Sequence, residues 1–259
     1  MPDVKPDQGN VMYSQTTVSL ARYATHPLPF MGPIDQPPTL KELFKGQQVE
    51  SFSAREAVFW EGDQAGQIFD VLDGVLRVYR IMPDGRRAIM GFVYPGDIVG
   101  VSFQDRYLFT AEAVTDVKVR RFSRGRFFSL VNESPALRPQ LFALLCDEMS
   151  AAQDQMLLLG CKSAEERVVS FLLAVHRKRP ADNEIELPMS RLDMADYLGL
   201  TIETVSRMLT SLCRRGLIHA TGRHRIELRK LSVLREIAGG DDDEADTPYD
   251  QEGRAGWPT

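Results

Sequence analysis

The segment RLDMADYLGLTIETVSRMLT, residues 191–210, constrains the fold more than any other part of the chain. Ala195 is small, as a residue must be where two helices cross closely. Gly199 follows four residues later, where a turn between helices can require a positive φ. Apolar residues recur at spacings that bury one helix against the next: Met194, Leu198, Leu200, Val205 and Met208. The pattern predicts two short helices joined by a tight turn, which is a helix-turn-helix.

Two capping signals mark where these helices begin. Ser190 precedes the first helix and Asp193 lies three residues further on, which is the spacing of a capping box. Thr201 precedes the second helix and is expected to be its N-cap. The second helix therefore has the place in the motif that a recognition helix has when it enters the major groove of DNA.

One edge of the second helix carries three side chains that suit base reading. Glu203, Ser206 and Arg207 are three and four residues apart, so they share a face of the helix. Arginine can donate two hydrogen bonds to guanine, glutamate can accept one from cytosine, and serine can contact several bases. The alternative is a surface Glu–Arg pair worth only about 0.3–0.5 kcal/mol. Because the three residues lie on the second helix of a helix-turn-helix, we expect them to contact bases.

The residues that follow predict a wing. Leu217-Ile218 and Ile226-Glu227-Leu228 are typical of two short strands, and Thr221-Gly222-Arg223-His224 is the turn between them. A basic tip of this kind can contact phosphate, although His224 is equally well explained as an ordinary polar loop residue. The residues that we expect at DNA phosphates are Ser190, Arg191, Thr201, Thr204, Arg223 and His224.

The net charge of the whole chain hides this basic region. The chain carries −5 at pH 7, but residues 186–235 contain nine Arg or Lys and five Asp or Glu, a local charge of +4. Residues 236–259 contain eight acidic residues and one Arg, a charge of −7. Binding of nucleic acid depends on the local charge, so the acidic total does not exclude it. We expect residues 239–259 to form a disordered acidic tail and residues 1–38 a flexible N-terminal arm.

Residues 49–122 follow a different pattern, in which short apolar runs alternate with glycine turns. The runs include VLDGVLRVYR, MPDGRRAIMGFV and YPGDIVGV, and Asp84-Gly85 is a strong hairpin signal. Many short strands separated by such turns are typical of a jelly roll or a barrel. Strands and helices do not alternate here, which disfavours a doubly wound α/β fold. We place a β-roll domain, similar to a sensor domain, at residues 39–134.

A long helix is predicted over residues 135–161, because apolar residues recur there every three or four positions. The stripe is close to a heptad repeat, the pattern that joins two helices in a coiled coil. Packing within its own chain is the alternative. The place of the helix between a β domain and a helical domain at residues 162–238 favours a dimer. The residues of this expected dimer seam are Leu141, Leu145, Met149, Ala152, Met156 and Leu159.

Several classes of protein are disfavoured. No apolar run approaches the roughly 18 residues that a membrane span needs. The N-terminal sequence MPDVKPDQGN lacks the basic and apolar regions of a secretory signal. Three cysteines are too few for a disulfide framework, so we expect a cytoplasmic protein that does not bind membranes. The sequence shows no Walker loop, no metal-ligand spacing and no nucleophile–base–acid set, so we do not expect an enzyme.

Cys213 is a candidate redox residue. It lies beside Arg214 and Arg215, and neighbouring cations lower the pKa of a thiol and raise its reactivity. An inert, partly packed cysteine is the simpler interpretation. Cys146 and Cys161 lie on or near the long helix, and we expect both to be packing residues.

The β domain, the long helix and the winged helix-turn-helix together resemble the cyclic-AMP-receptor/FNR superfamily of bacterial transcription regulators. The resemblance covers roughly residues 40–235 and rests on the glycine pattern EGD…LDGVLRV…PDG…YPGDIVG and on the segment LTIETVSR. It implies an α+β fold with an N-terminal cyclic-nucleotide-binding-like β roll (a jelly roll), a long dimerisation helix and a C-terminal winged helix-turn-helix. It also implies a homodimer that binds double-stranded DNA and helps RNA polymerase to start transcription.

Within this superfamily the reading residues resemble those of the FNR and FixK branches. Glu203, Ser206 and Arg207 match the E-x-x-S-R set of those branches, which implies palindromic sites with TTGA-type half-sites. The cyclic-AMP branch typically has an arginine where this chain has Ile202.

The cofactors of other branches do not fit the residues of this chain. Cyclic-AMP-binding members carry a glutamate for the ribose and an Arg-Ser pair for the phosphate. Here Gly100 is followed by Val101-Ser102-Phe103, and the only nearby cation, Arg106, is misplaced. An iron–sulfur cluster needs about four thiolates, and this chain has three cysteines. The resemblance therefore implies a FixK-like activator without a cofactor. A regulator whose β roll binds haem or an unidentified small molecule is the alternative.

Overall fold

The computed structural model describes residues 38–178 and 183–239. The arm predicted over residues 1–38 and the tail predicted over residues 239–259 lie almost wholly outside these ranges. Within the described ranges, no helix combines the length and the apolar character that crossing a membrane requires.

Eight strands build the β roll that the sequence predicted. The strands are β1 Val49–Phe52, β2 Ala57–Phe59, β3 Gln67–Asp73, β4 Leu76–Ile81, β5 Arg87–Val93, β6 Ile98–Val99, β7 Thr110–Ala113 and β8 Val117–Ser123. They form two antiparallel four-stranded sheets, with the orders β1-β8-β3-β6 and β2-β7-β4-β5. Apart from β4 and β5, strands that are consecutive in sequence lie in different sheets, as in a jelly roll.

An apolar core fills the space between the two sheets. Both sheets contribute to it, with Leu76 and Ala111 from one sheet and Val119 from the other completely buried. Burying a large aliphatic side chain contributes about 1.5–3 kcal/mol, so this core holds the two sheets together. The predicted hairpin at Asp84-Gly85 joins β4 to β5, and Gly85 has the positive φ, 82°, that the turn requires.

Two helices follow the roll. They are α1 Arg124–Glu133 and α2 Leu137–Cys161, and α2 is the long helix predicted over residues 135–161. A 3-10 helix at Leu40–Phe44 precedes the strands and packs with α1 and the start of α2. The expectation that Cys146 and Cys161 pack in the interior is wrong, since both are exposed on α2. Helical periodicity alone does not tell which apolar or sulfur-containing positions of a long helix face other elements.

The C-terminal domain contains four helices and a small sheet. Its elements are α3 Ala164–Lys178, β9 Glu184–Glu186, α4 Arg191–Leu198, α5 Ile202–Arg214, β10 Ile218–Ala220, β11 Arg225–Leu228 and α6 Leu231–Ala238. The strands β10 and β11 confirm the predicted wing hairpin, with the turn at residues 221–224. The third strand, β9, pairs with β11 and was not predicted, because its partner is distant in sequence and no hairpin turn marks the pairing.

The β roll and the C-terminal domain share an apolar contact. The ring of Phe92 on β5 lies 6.1 Å from the ring of Phe171 on α3 and 5.6 Å from the ring of Tyr197 on α4. Tyr94 and Val114 of the roll also pack against the core of the C-terminal domain. The position of α4 therefore depends on the sheet that contains β4 and β5.

Candidate nucleic-acid interface

The turn between α4 and α5 adopts the predicted left-handed conformation. Gly199 has φ 61° and ψ 38°, and its N–H donates to the carbonyl oxygen of Ala195. A Cβ atom at this position would lie 3.2 Å from Cδ2 of Leu159 and 3.5 Å from Nη1 of Arg167. Glycine is therefore needed both for the backbone conformation and for the close approach of α2 and α3. The sequence pattern did not reveal Arg167, because its partners are backbone carbonyl oxygens, which no side-chain pattern indicates.

The predicted capping box at the start of α4 is present. The hydroxyl of Ser190 donates to Oδ2 of Asp193 at 2.7 Å, and the backbone N–H of Asp193 donates to the Ser190 hydroxyl at 3.1 Å. The backbone N–H of Ser190 also donates to Oδ2 of Asp193, at 3.0 Å. The Ser190 hydroxyl therefore already has an acceptor, and it would have to leave that acceptor to donate to a DNA phosphate.

Thr201 caps α5 as predicted. Its Oγ1 accepts a hydrogen bond from the backbone N–H of Thr204 at 3.2 Å, and the two hydroxyls lie 3.1 Å apart. The guanidinium of Arg207 reaches back to Oγ1 of Thr204 at 3.3 Å. Two predicted phosphate contacts and one predicted base contact thus meet at the N-terminus of the helix, where backbone N–H groups attract an anion.

The predicted reading edge of α5 faces away from the protein. Glu203, Ser206 and Arg207 are exposed, whereas Val205 and Leu209 are buried on the opposite face. Hydrogen bonds from the backbone N–H of Glu203 and from the hydroxyl of Thr201, together with the charge of Arg207, lower the pKa of Glu203. The carboxylate therefore stays ionised and able to accept a hydrogen bond from cytosine.

The other predicted phosphate contacts meet in a cavity between the start of α4 and the wing. The cavity has a volume of about 310 Å³. Its lining residues are Leu187, Met189, Ser190, Arg191, Arg223, His224 and Ile226. A shape that brings two guanidinium groups and a histidine to one concave surface is suited to the backbone of DNA.

The three basic residues of this cavity are held differently. Nη1 of Arg191 lies 3.2 Å from the sulfur of Met194, and burial lowers the pKa of the Arg191 guanidinium. A desolvated cation of this kind gains from a charge-assisted hydrogen bond to phosphate. Nδ1 of His224 lies 3.0 Å from the carbonyl oxygen of Leu187, so the other ring nitrogen is the one that can face DNA. Arg223 is exposed at the wing tip.

The thiol of Cys213 is exposed on α5 and is not part of a disulfide. Of the two arginines beside it, Arg215 is bound to the carboxylate of Glu165 on α3. Its guanidinium is therefore directed to α3, whereas Arg191 at the start of α4 interacts electrostatically with Cys213. A redox role for Cys213 stays a prediction.

A second candidate surface is the apolar stripe on α2. Leu141 does not belong to it, because it packs with Leu144 against the core around Phe44 and Phe127. Phe142, which the sequence prediction omitted, is 73% exposed. The apolar stripe at the surface of α2 has alternating intervals of three and four residues, as in a heptad repeat. Its residues are Phe142, Leu145, Met149, Ala152, Met156 and Leu159, and all but the partly buried Leu145 are exposed. Phe142, Met149 and Met156 are seven residues apart, and this interval in the sequence could have identified Phe142 as a member of the stripe.

Aromatic side chains fill the interior of the roll. The ring of Phe59 stacks on Tyr107 with a centroid distance of 3.9 Å and on Phe69 at 5.7 Å. Arg106, the cation considered for a nucleotide phosphate, is exposed and donates to the carbonyl oxygen of Gly62. The guanidinium is therefore directed to the surface of the roll.

Comparisons with known proteins give the same two domains. A model of the Crp-like helix-turn-helix domain matches residues 166–237, and a model of the cyclic nucleotide-binding domain matches residues 49–134. The nitrogen fixation regulation protein FixK of Bradyrhizobium diazoefficiens is 45% identical over 171 residues, which cover 64% of this chain and 72% of that protein. The transcriptional activatory protein AadR of Rhodopseudomonas palustris is 40% identical over 192 residues, which cover 73% of this chain and 79% of that protein.

Solved structures agree with the sequence relatives. The structure of FixK2 from Bradyrhizobium japonicum matches with a TM-score of 0.72 and 36% identity, and the match covers 74% of this chain and 96% of that one. Sequence and structure together show that this chain belongs to the CRP/FNR superfamily of DNA-binding transcription regulators, in its FixK-like branch.

Proposed function

We propose that the protein is a homodimeric transcription activator that reads palindromic DNA with TTGA-type half-sites and helps RNA polymerase to start transcription. The observation that carries the proposal is the exposed edge of α5. Glu203, Ser206 and Arg207 project from the second helix of a helix-turn-helix, and their opposite face is anchored in the core. An α-helix presented in this way fits the major groove of B-DNA.

Arg207 is assigned to the guanine of the half-site and Glu203 to the cytosine of the same or a neighbouring base pair. The guanidinium can donate two hydrogen bonds to O6 and N7 of guanine, and the ionised carboxylate can accept one from N4 of cytosine. Ser206 lies between them on the same edge. The bond from Arg207 to Thr204 is exposed to water and has an uncharged acceptor, so exchanging it for two bonds to a guanine costs little free energy.

The proposed occupant of the apolar stripe on α2 is the α2 helix of a second copy. A single helix reads only a few base pairs, and two-fold symmetry doubles the site. Met149 and Met156 are 59% and 66% exposed, which is unusual for apolar side chains at regular heptad positions. An identical helix offers the complementary stripe in the same register, as the isologous interface of a symmetric dimer requires.

DNA binding without a cyclic nucleotide is the third part of the proposal. The stacked rings of Phe59, Phe69 and Tyr107 occupy the roll interior, and Arg106 points to its surface. A buried phosphate without a cation would be costly. A ligand-responsive regulator is the second candidate, because an open cavity of about 270 Å³ lies beside Phe59, Trp60 and Tyr107.

Replacing Arg207 should relax sequence specificity. Arg207→Ala removes a bidentate base contact, which typically costs about 1–3 kcal/mol per half-site and lowers discrimination at that G·C pair. Arg223→Ala, a matched phosphate control, should weaken binding to all sequences alike and flatten the salt dependence. Competition binding against half-sites altered one base pair at a time measures both effects. The register assigned to α5 is wrong if Arg207→Ala keeps the wild-type preference for the G·C pair.

A charge in the α2 stripe should separate the dimer. Met156→Glu places one carboxylate from each chain in the apolar seam, and burying unpaired charges should raise the dimer dissociation constant by about 100-fold or more. Leu157→Glu is the control, since Leu157 is also exposed but lies outside the heptad positions. Sedimentation should show monomers for the first variant and dimers for the second. Equal dimer stability of the two variants would remove α2 as the interface.

Cyclic AMP should have no effect on this protein. Titration calorimetry with cyclic AMP should show no heat of binding, because Arg106, the cation considered for the phosphate, donates to the carbonyl oxygen of Gly62 at the surface of the roll. The affinity for a TTGA palindrome, measured by fluorescence anisotropy, should be the same with and without the nucleotide. A micromolar affinity for cyclic AMP would favour the ligand-responsive alternative.

A further inference from the structure

A cluster of charged side chains joins the β roll to the first helix of the helix-turn-helix. Nη2 of Arg87 on β5 donates to Oδ1 of Asp193 at 2.6 Å, and its Nε donates to Oδ2 of Asp196 at 2.9 Å. Nη1 of Arg77 on β4 donates to the same Oδ1 of Asp193 at 3.1 Å. Both acceptors lie on α4, so two arginines of one sheet bind two carboxylates of one helix.

The two carboxylate oxygens of Asp193 accept hydrogen bonds from different parts of the protein. Oδ1 accepts from the two roll arginines, and Oδ2 accepts from the hydroxyl and the backbone N–H of Ser190 in the capping box. Its side chain is only 4% exposed. Because the two oxygens belong to one rigid planar group, the arginines of the roll determine how the first turn of α4 is held.

The roll side of the cluster is itself held in place. Glu112 on β7 binds the guanidinium of Arg77 and accepts a hydrogen bond from the hydroxyl of Tyr79 at 2.8 Å. The guanidinium carbon of Arg87 lies 5.7 Å from the centre of the Tyr79 ring. Burial and the Glu112 carboxylate raise the pKa of Tyr79 to about 12, so the hydroxyl remains a donor at neutral pH. The arginines therefore present a fixed pair of cations to α4.

The helix end that this cluster holds is also the rim of the DNA-facing cavity. Ser190 and Arg191, at the start of α4, both line that cavity. The reading edge of α5, with Glu203 and Arg207, is exposed and contributes no group to the cluster. The cluster thus leaves the DNA-binding surface free while it fixes one of its walls.

We infer that Arg77 and Arg87 are positioning residues for DNA binding, which act through Asp193 by holding the start of α4 against the roll. The inference rests on the proposed function, because it assumes that the cavity rim contacts the DNA backbone. It makes the β roll a part of the DNA-binding structure even when no ligand occupies it.

The test compares two arginines of the same hairpin. Arg87→Met removes the cation that bridges Asp193 and Asp196. Arg80→Met is the control, because Arg80 lies on β4 and pairs with Glu61 within the roll, at 2.6 Å. Affinity for a TTGA palindrome is measured by fluorescence anisotropy at a temperature where circular dichroism shows each protein folded. Arg87→Met is expected to bind roughly two- to thirty-fold more weakly, and Arg80→Met to bind like the wild type.

A double-mutant cycle separates an effect through Asp193 from a direct contact of Arg87 with DNA. In the Asp193→Asn background, Arg87→Met should cause little further loss, because the group through which it acts has already changed. If Arg87→Met does not fold, Arg87→Gln, which keeps a hydrogen-bond donor, takes its place in both comparisons.

The outcomes distinguish this inference from the proposed function. Wild-type protein that does not bind the palindrome would contradict the proposed function itself. Wild-type binding together with an unchanged or increased affinity of the Arg87 variant would overturn only the inference. An equal loss in the wild-type and Asp193→Asn backgrounds would overturn it as well, since Arg87 would then act without Asp193.

Discussion

Arg167 connects the end of the long helix α2 to the end of α4, the first helix of the helix-turn-helix. Its guanidinium donates hydrogen bonds to the carbonyl oxygens of Leu159 and Lys162 at the end of α2, each at 2.9 Å, and to that of Leu198 at the end of α4, at 3.0 Å. Carbonyl groups at helix ends lack partners within their own helix, so one side chain satisfies the ends of two helices. The direction of α2 therefore determines where the turn before α5 lies, and a dimer formed through α2 would determine the spacing of two reading helices.

The β roll contributes to this arrangement by holding α4 in place. Its interior is occupied by stacked aromatic rings, and its outer surface holds α4 through apolar contacts of Phe92 and through the cluster around Asp193. A buried ion cluster adds little net stability compared with apolar residues of the same shape, but removing one partner typically costs about 3–5 kcal/mol. A cluster of this kind is therefore better suited to fixing one arrangement of two domains than to stabilising either domain alone.

The parts of the site that the sequence predicted are those that depend on nearby residues. Ser190 and Gly199 could be assigned because a cap or a turn is determined by side chains within about four positions. The stripe predicted on α2 began at Leu141, but Phe142 is the exposed residue at that end, since Leu141 packs against the core. Periodicity predicts an apolar stripe but does not tell which of its residues pack against the same chain. Arg87 and Arg167 were not identified, since their partners are more than 30 residues away or are backbone carbonyls, which no side-chain pattern reveals.

Hydroxyl-radical footprinting of a TTGA palindrome reports where on the DNA surface the protein lies, and so tests whether two α5 helices bind together. Two reading helices related by two-fold symmetry should enter successive major grooves on one face of the duplex. A dimer bound in this way should leave two protected blocks centred on the half-sites, about 10–10.5 base pairs apart. A single protected block, or protection without two-fold symmetry about the centre of the palindrome, would contradict it.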